Sequence, residues 1–437
     1  MADLKQLARW VFHETLAAID IPAVMQRKLR REGTLLRCED LAVDLRAFSK
    51  VRVVVIGKAA HAMVDGLGSL LPADLALDGV VSAPTAPAKP ALGMRYFVAG
   101  HPLPNAASWQ AAEAILEFLR DCDERTLVFF LLSGGGSALV ERPLDSLSTL
   151  EDVQQLYQAL VTCGAPIHAI NAVRKHVSAV KGGRLAGAAA RAMKITLAVT
   201  DVPVGYESAL ASGPTLPDAT TVAYVHGVIA EYSLQEKLPR TLQHWIKEGQ
   251  MPETPKEGDL AFAKAYFILL LGMDDLFHPA HHASEAKGFM TRCDNSTDDW
   301  PVERAADFLL EQLDKMRREY PGHPVALIAD GEVSSPVTGN GIGGRNSAFV
   351  LTCVEKIAGR RIAVLSAGTD GVDGNSPAAG AVADGETLAR ARAIRLEPRD
   401  AFRRSDAFTF FSRLDDVIVT GPTENNLRDL RIFLAEP

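Results

Sequence analysis

Residues Leu127–Val140 read LVFFLLSGGGSALV, and the fold turns on how this stretch is read. Phe129 to Leu132 form an apolar run suited to a buried strand, and Ala138, Leu139 and Val140 resume an apolar pattern suited to the start of a helix. Between them stand Ser133, Gly134, Gly135, Gly136 and Ser137. Three consecutive glycines lose more backbone entropy on folding than any other residues would. A turn tight enough to aim several backbone N–H groups at one point, where an anion can sit, offsets that loss. The alternative is a strand–helix connection that needs only positive φ. The rest of the chain has to decide between the two.

The same grammar recurs along the chain. VRVVVIGKAAHAM, ITLAVTDVP, AYFILLLG, VALIADGE, RIAVLSAGTDG and DVIVTGPTENNLRDL are apolar runs that each end in a small-residue turn, and the last of these turns, GPTENNLRDL (Gly421 to Leu430), is read as a strand-end loop that opens a helix. Short apolar runs alternating with helices of ordinary length imply parallel β-α-β units. Ligands of such sheets gather at the carboxyl ends of the strands, and every unusual glycine or polar cluster of this chain falls there. A length of 437 residues exceeds what one core supports. The break in apolar periodicity at Gly249–Gly258, polar and rich in Pro and Gly, places the boundary. The expected domains are 1–248 and 259–437, with the boundary segment acting as a hinge.

A hydrophobic content of 47% and a charged content of 23% are ordinary for a globular protein. A net charge of −8, with no basic tract interleaved with aromatics, argues against a nucleic-acid partner. A small anionic substrate stays admissible, because local basic groups outweigh net charge inside a cleft. The five cysteines are scattered and form no CxxC, which suits free thiols in a reducing cytoplasm. The first twenty residues read as an amphipathic helix rather than a signal peptide. No uncharged apolar run approaches a membrane span. The composition leaves a homodimer open.

Several clusters carry candidate chemistry. Lys58 follows Gly57 at a strand end and opens a helix, where the helix dipole disfavours a cation unless an anion is shared. Arg174, Ser178 and Lys181 fall on one helical face at i, i+4 and i+7, and Gly182–Gly183 end that helix. Asp201 ends a strand, a position suited to a metal or to a hydroxyl proton, with an N-cap or Asx-turn as the plainer reading. Ser212, Gly213 and Thr215 make a second small polar turn. Gly339, Gly341 and Gly344 spell G-x-G-x-x-G, a weak signal alone. Arg345 follows at once and no acid stands where a dinucleotide fold would place it, so this loop, with Gly343, is read as a phosphate site. Asp370 and Asp373 lie in a glycine-rich loop without EF-hand spacing. Two carboxylates beside phosphates point to Mg²⁺. His278, His281 and His282 are read as a surface helix rather than a zinc site.

Taken in order, VIGKAAHAM, AGHPLPNAAS, LLSGGGSAL, GAPIHAINAVRKHVSAVKGGRLA, ASGPTLPD, DNSTDDWPVERAADFLL, GGRN, AGTDGVDGNSPAAGAV and VTGPTENNLRDL resemble the class II glycerate kinases, also called the glycerate 2-kinase or MOFRL family. The resemblance covers most of the chain. It implies an α/β architecture of an N-terminal Rossmann-like, doubly wound parallel sheet and a smaller C-terminal α/β domain, with the active-site cleft between them. It implies ATP-dependent phosphorylation of D-glycerate to 2-phosphoglycerate, and it puts the family's functional lysine and arginine on Lys58 and Arg345. With the residue reading, the expected catalytic set is Lys58, Arg345 and Asp201. The ATP-binding set is Ser133–Ser137, Lys181, Gly213, Thr215, Gly341, Gly343 and Gly344. The Mg²⁺ set is Asp201, Asp370 and Asp373. The chain departs from the family pattern at Gly205, Ile342 and Glu424, where an acid is lost, a basic residue is lost and an acid is gained. These departures bear on which anion fits. The competing readings are a nicotinamide-dependent hydroxypyruvate reductase and a sugar-acid sensor without activity.

Overall fold

The computed structural model describes residues 3–73, 75, 77–145, 148–200, 202–203, 205–425 and 427–437. The chain divides into two compact units, Ile21–Leu271 and Met1–Asp20 together with Gly272–Pro437.

The Ile21–Leu271 unit begins with a small antiparallel meander of β1 (Arg30–Glu32), β2 (Leu35–Cys38) and β3 (Leu41–Asp44). Its main sheet holds β4 (Lys50–Ile56), β5 (Leu77–Ala83), β6 (Met94–Val98), β7 (Thr126–Leu132), β8 (Met193–Val199) and β9 (Ala265–Leu271). The spatial order is β6-β5-β4-β7-β8-β9, and every neighbouring pair is parallel. All seven residues of β7 are buried, as expected of a central strand covered on both faces, so its sequence is continuously apolar rather than alternating. The chain leaves β4 toward β5 and β6, then returns to the other side of β4 with β7. The order therefore reverses between β4 and β7. A doubly wound sheet opens its ligand crevice at that switch point, outside the strand carboxyl ends. Those two ends are Gly57–Lys58 and Ser133–Ser137.

The expected boundary at Gly249–Gly258 lies inside this unit. Met251 is buried in a helical cluster with Leu156, Val173, Val225 and Leu242. The hydroxyl of Thr254 donates to Asp218 at 3.0 Å, and Lys256 Nζ donates to the Thr254 hydroxyl at 2.7 Å. Polarity and proline content identified a loop correctly, but the loop is tied down. AYFILLLG, assigned from sequence to the second domain, is β9, the sixth strand of the first sheet. The chain passes between units at Asp20–Ile21 and Leu271–Gly272 instead.

The other unit holds β10 (Met290–Asp294), β11 (Val325–Asp330), β12 (Ile362–Gly368), β13 (Gly380–Asp384), β14 (Val417–Ile418) and β15 (Asp429–Ala435), in the order β10-β11-β15-β12-β13-β14. Only β10 and β11 run parallel; β15 is antiparallel to both of its neighbours. The parallel expectation fails here, and so does the helix expected after GPTENNLRDL. Leu430, Ile432, Phe433 and Leu434 form β15 and are fully buried. The amphipathic helix Leu4–Ala18 belongs to this unit. Its Val11 and Phe12 are fully buried, it packs on β12, β13 and β15, and Lys5 pairs with Asp416 at 3.0 Å. Burying two such side chains contributes about 1.5–3 kcal/mol each.

Candidate active site

At the switch point of the parallel sheet, the ends of β4 and β7 lock together. Ser133 N–H donates to Ile56 O at 2.9 Å, Lys58 N–H donates to Gly134 O at 3.0 Å, and Ser133 Oγ accepts from Ala59 N at 3.0 Å. Gly57 has φ +142°, and any side chain there would strike Ser133. Gly135 adopts the left-handed conformation (φ 83°) and precedes the one-turn helix Gly136–Leu139. Among the described residues, the N–H groups of Gly134, Gly135, Gly136 and Ser137 donate to no protein acceptor. Four adjacent open amides in a turn of this kind form an anion-binding concavity. A methyl group placed on Gly135 would lie 3.3 Å from Lys58 Cγ, so the lysine stem flanks the same turn. The Lys58 ammonium makes no ion pair or hydrogen bond among the described residues.

Behind the turn, Ser137 Oγ lies 2.8 Å from Ser212 Oγ, which donates to Asn171 Oδ1 at 3.3 Å. The second polar turn therefore braces the first. The remaining residues assigned to ATP on this unit are placed elsewhere. The helix holding Arg174 ends at Val177, and Ser178 is extended, so the i, i+4, i+7 face does not form. Lys181 is 1% exposed and donates to Glu141 Oε2 at 2.8 Å and to Val140 O at 2.9 Å. Burial pushes its pKa down against the pull of Glu141. The Tyr157 hydroxyl, 2.6 Å from Glu141 and 2.8 Å from Ser137 O, joins this network to the turn. Lys181 thus neutralises a buried acid. Thr215 is buried and accepts from Thr196 Oγ1 at 3.0 Å, and Gly213 O accepts from Gly183 N at 2.7 Å; both serve the interior. Asp201 lies outside the described residues.

On the other unit, Arg345 opens the helix Arg345–Val354. Its guanidinium donates to Asp429 through Nε (2.5 Å) and Nη2 (3.4 Å), and to Glu332 through Nη1 (2.7 Å). Burial opposes its charge, but the Asp429 carboxylate and then Glu332 outweigh that and hold its pKa above the ordinary arginine value. Asp429 is buried at the start of β15, and Glu332 is nearly half exposed after β11. A cavity of about 510 Å³ lies beside Arg345, lined by Gly341, Gly343, Gly344, Asp370, Asn375 and Phe402 among others.

This loop does not present its amides as the phosphate reading required. Gly341 N donates to Arg404 O, Ile342 N to Asp406, Gly343 N to Asn375 Oδ1 and Gly344 N to Ser347 Oγ. The helix start itself is occupied: Asp373 accepts from Asn346 N at 2.9 Å and from Ser347 N and Oγ at 2.8 and 2.6 Å. The glycines of the loop answer close packing instead, since a side chain at Gly341 or Gly344 would collide with Arg404 or with Asp373–Gly374.

The same contacts bear on Mg²⁺. Asp373 is 1% exposed with both oxygens engaged. Asp370 lines the cavity and accepts from Val372 N at 3.0 Å. Asp330 is fully buried, neither of its oxygens is hydrogen-bonded, and burial pushes its carboxyl up to about 6. It faces Arg428 at 3.5 Å and Arg431, surroundings that disfavour a cation. Among the described residues no group of three or more His, Cys, Asp or Glu is arranged to hold a metal ion. The described part of the expected carboxylate set does not make a protein metal cage.

Three participants escaped sequence reasoning. Glu332 and Asp429 meet Arg345 only in three dimensions, the latter across 84 positions. His101, within the HPLPN run, brings its ring to the Gly134–Ser137 turn, and a methyl group on Gly135 would lie 3.1 Å from its Cδ2. Its sequence signal is a histidine between Gly100 and Pro102 in the HPLPN run.

Two family models match the chain. Residues 7–247 match a domain of unknown function, DUF4147, and residues 325–429 match the MOFRL family. The chain is 32% identical over 388 residues to the D-glycerate 2-kinase of Thermotoga maritima, covering 88% of this chain and 90% of that one. It is 35% identical over 393 residues to a putative hydroxypyruvate reductase of Agrobacterium vitis, covering 87% and 86%. The crystal structure of the Thermotoga maritima glycerate kinase superposes with a TM-score of 0.85 at 30% identity, covering 99% of each chain.

Proposed function

The chain belongs to the MOFRL family of glycerate kinases, and from that premise we propose that it transfers the γ-phosphoryl group of ATP to D-glycerate, giving 2-phosphoglycerate and ADP. One observation carries the reading: four adjacent amides and a lysine stand unpaired among the described residues, at the switch point of a parallel sheet. Phosphoryl transfer needs positioning and charge neutralisation more than covalent help. In this reading the Gly134–Ser137 amides hold phosphate oxygens, and Lys58 neutralises charge that builds during transfer. Arg345, held in a fixed orientation by Asp429, binds an anionic oxygen. Mg²⁺ would come bound to the phosphates of ATP, as is usual for this ion, and would supply further charge neutralisation there.

The reductase named for the Agrobacterium vitis relative would share this strand order, which is that of dinucleotide-binding sheets. The residues argue against it. The turn after β4 reads Gly57-Lys58-Ala59-Ala60 rather than G-x-G-x-x-G, and β5 ends at Ser82-Ala83 with no acid for a ribose. The five cysteines are free, which supports a reducing cytoplasm. No helix among the described residues is long and apolar enough to cross a membrane.

The test measures ADP release with ATP and D-glycerate beside NADH oxidation with hydroxypyruvate. ADP release alone is expected, stopped by EDTA and restored by Mg²⁺. NADH oxidation without ADP release would replace the kinase with the reductase, and full activity in EDTA would remove the metal.

A further inference from the structure

We propose that His101 is the general base that takes the proton from the acceptor hydroxyl; the inference rests on the kinase reading. The His101 side chain is exposed, and no hydrogen bond holds its ring among the described residues. Its Nε2–Cδ2 edge faces the Gly134–Ser137 turn: a methyl group on Gly135 would lie 3.3 Å from Nε2, 3.1 Å from Cδ2 and 3.3 Å from the Lys58 stem. The imidazole, the lysine and the open amides therefore meet at one residue.

The backbone fixes where the ring stands. Ala99 N donates to Ala83 O at 2.9 Å, and Gly100 N donates to Ser108 Oγ at 3.1 Å. Asn105 and Ser108 then form a capping box at the start of the helix Ala106–Leu119. The segment is pinned on both sides of His101, while the side chain itself is left without a structural task. A histidine needed only for packing would be buried or bonded, as His176 is: fully buried, with Nδ1 2.9 Å from Ala172 O.

The hydroxyl oxygen of glycerate forms a bond to the γ-phosphorus of ATP. The bond from that phosphorus to the bridging oxygen breaks, and ADP leaves with its electron pair. The hydroxyl proton passes to the Nε2 lone pair and then to water. This requires a neutral ring. Although His101 is exposed, desolvation by the protein around its ring and then the Lys58 ammonium both lower its pKa from the ordinary 6.5, so the base is in its working form at neutral pH. Among the described residues Lys58 is the charged group that faces the ring. The turn presents amides and hydroxyls, and the helix behind begins at uncharged Asn105.

The experiment compares wild type, His101→Gln and His101→Ala for ADP release with D-glycerate across pH, with melting temperatures alongside. Wild-type kcat/KM should fall on the acid side with a midpoint below 6.5. Both variants should lose about 10²-fold or more in kcat/KM at unchanged melting temperature, and the acid limb should disappear from their residual activity. Added imidazole should restore rate to His101→Ala and not to His101→Gln. Wild-type rates in the variants, or a loss that keeps the acid limb and ignores imidazole, would overturn the assignment while leaving the kinase reading intact. A wild-type protein that releases no ADP with glycerate would remove the kinase reading, and this inference with it.

Discussion

Lys58 stands in the turn after β4 with its ammonium unpaired among the described residues, whereas Arg345 is held by two carboxylates, and the two cations differ in what their removal exposes. Lys58→Ala should cost about 2.7–4 kcal/mol of transition-state stabilisation, roughly 10²–10³ in turnover, with the melting temperature unchanged; near-native kinetics would remove Lys58 from the chemistry. Arg345→Ala should lose comparable activity and also stability, because the buried Asp429 loses its charged partner. An unsatisfied buried group of this kind costs about 1–3 kcal/mol. A denaturation midpoint equal to wild type would mean that Asp429 does not depend on Arg345. Lys58 and Ser133–Ser137 were legible in the sequence because they break local rules: a cation at a helix start, and glycines where a helix should begin. Arg345 was legible as a cation directly after a glycine-rich loop, and its functional role came from the resemblance. Its partners were not legible, because nothing local marks two acids that close on one guanidinium from distant strands.

At the scale of the element, the helix Arg345–Val354 shows how one motif supports two readings. Glycines before a helix and an acid in the next strand loop fit a phosphate site with a metal ligand, and they equally fit a helix start closed by a carboxylate. The sequence alone does not say whose acceptors meet the amides. Asp373→Asn separates the two. As a cap it should lose about 0.5–2 kcal/mol of stability and leave the Mg²⁺ concentration for half-maximal rate unchanged. A tenfold rise in that concentration at unchanged stability would return Asp373 to the metal. The strands of the parallel sheet were readable because both faces are buried and the runs are continuous. β15 was misread because GPTENNLRDL looks like the loops that do open helices. The decisive property of β15 is that it fills the gap between β11 and β12, and that gap exists only once the sheet is assembled.

For the molecule as a whole, the two compact units were legible, and the path of the chain through them was not. Polarity and proline content peak at Gly249–Gly258, yet those residues are hydrogen-bonded within one unit, and the crossings at Asp20–Ile21 and Leu271–Gly272 carry no compositional mark. The crossing at Asp20 assigns the first helix to the unit built from the C-terminal residues. Phe12→Ala should therefore cost about 3–5 kcal/mol, and hydrogen exchange should accelerate in β12, β13 and β15 while β4–β9 keep their protection. Acceleration in β4–β9 alone would contradict the division.

That arrangement sets an order on biosynthesis. The Leu4–Ala18 helix leaves the ribosome early, but β15, which helps bury Val11 and Phe12, is translated about 400 residues later. At roughly 5–20 residues per second the apolar face waits about 20–80 s for its seat. The Ile21–Leu271 unit is contiguous and can close during that interval, enclosed in time by the two halves of its neighbour. Nascent chains stalled just after residue 271 has cleared the exit tunnel should hold a protease-resistant Ile21–Leu271 unit and a protease-sensitive first helix. Resistance of that helix at the same stall point would show that it finds another shelter before its own sheet exists.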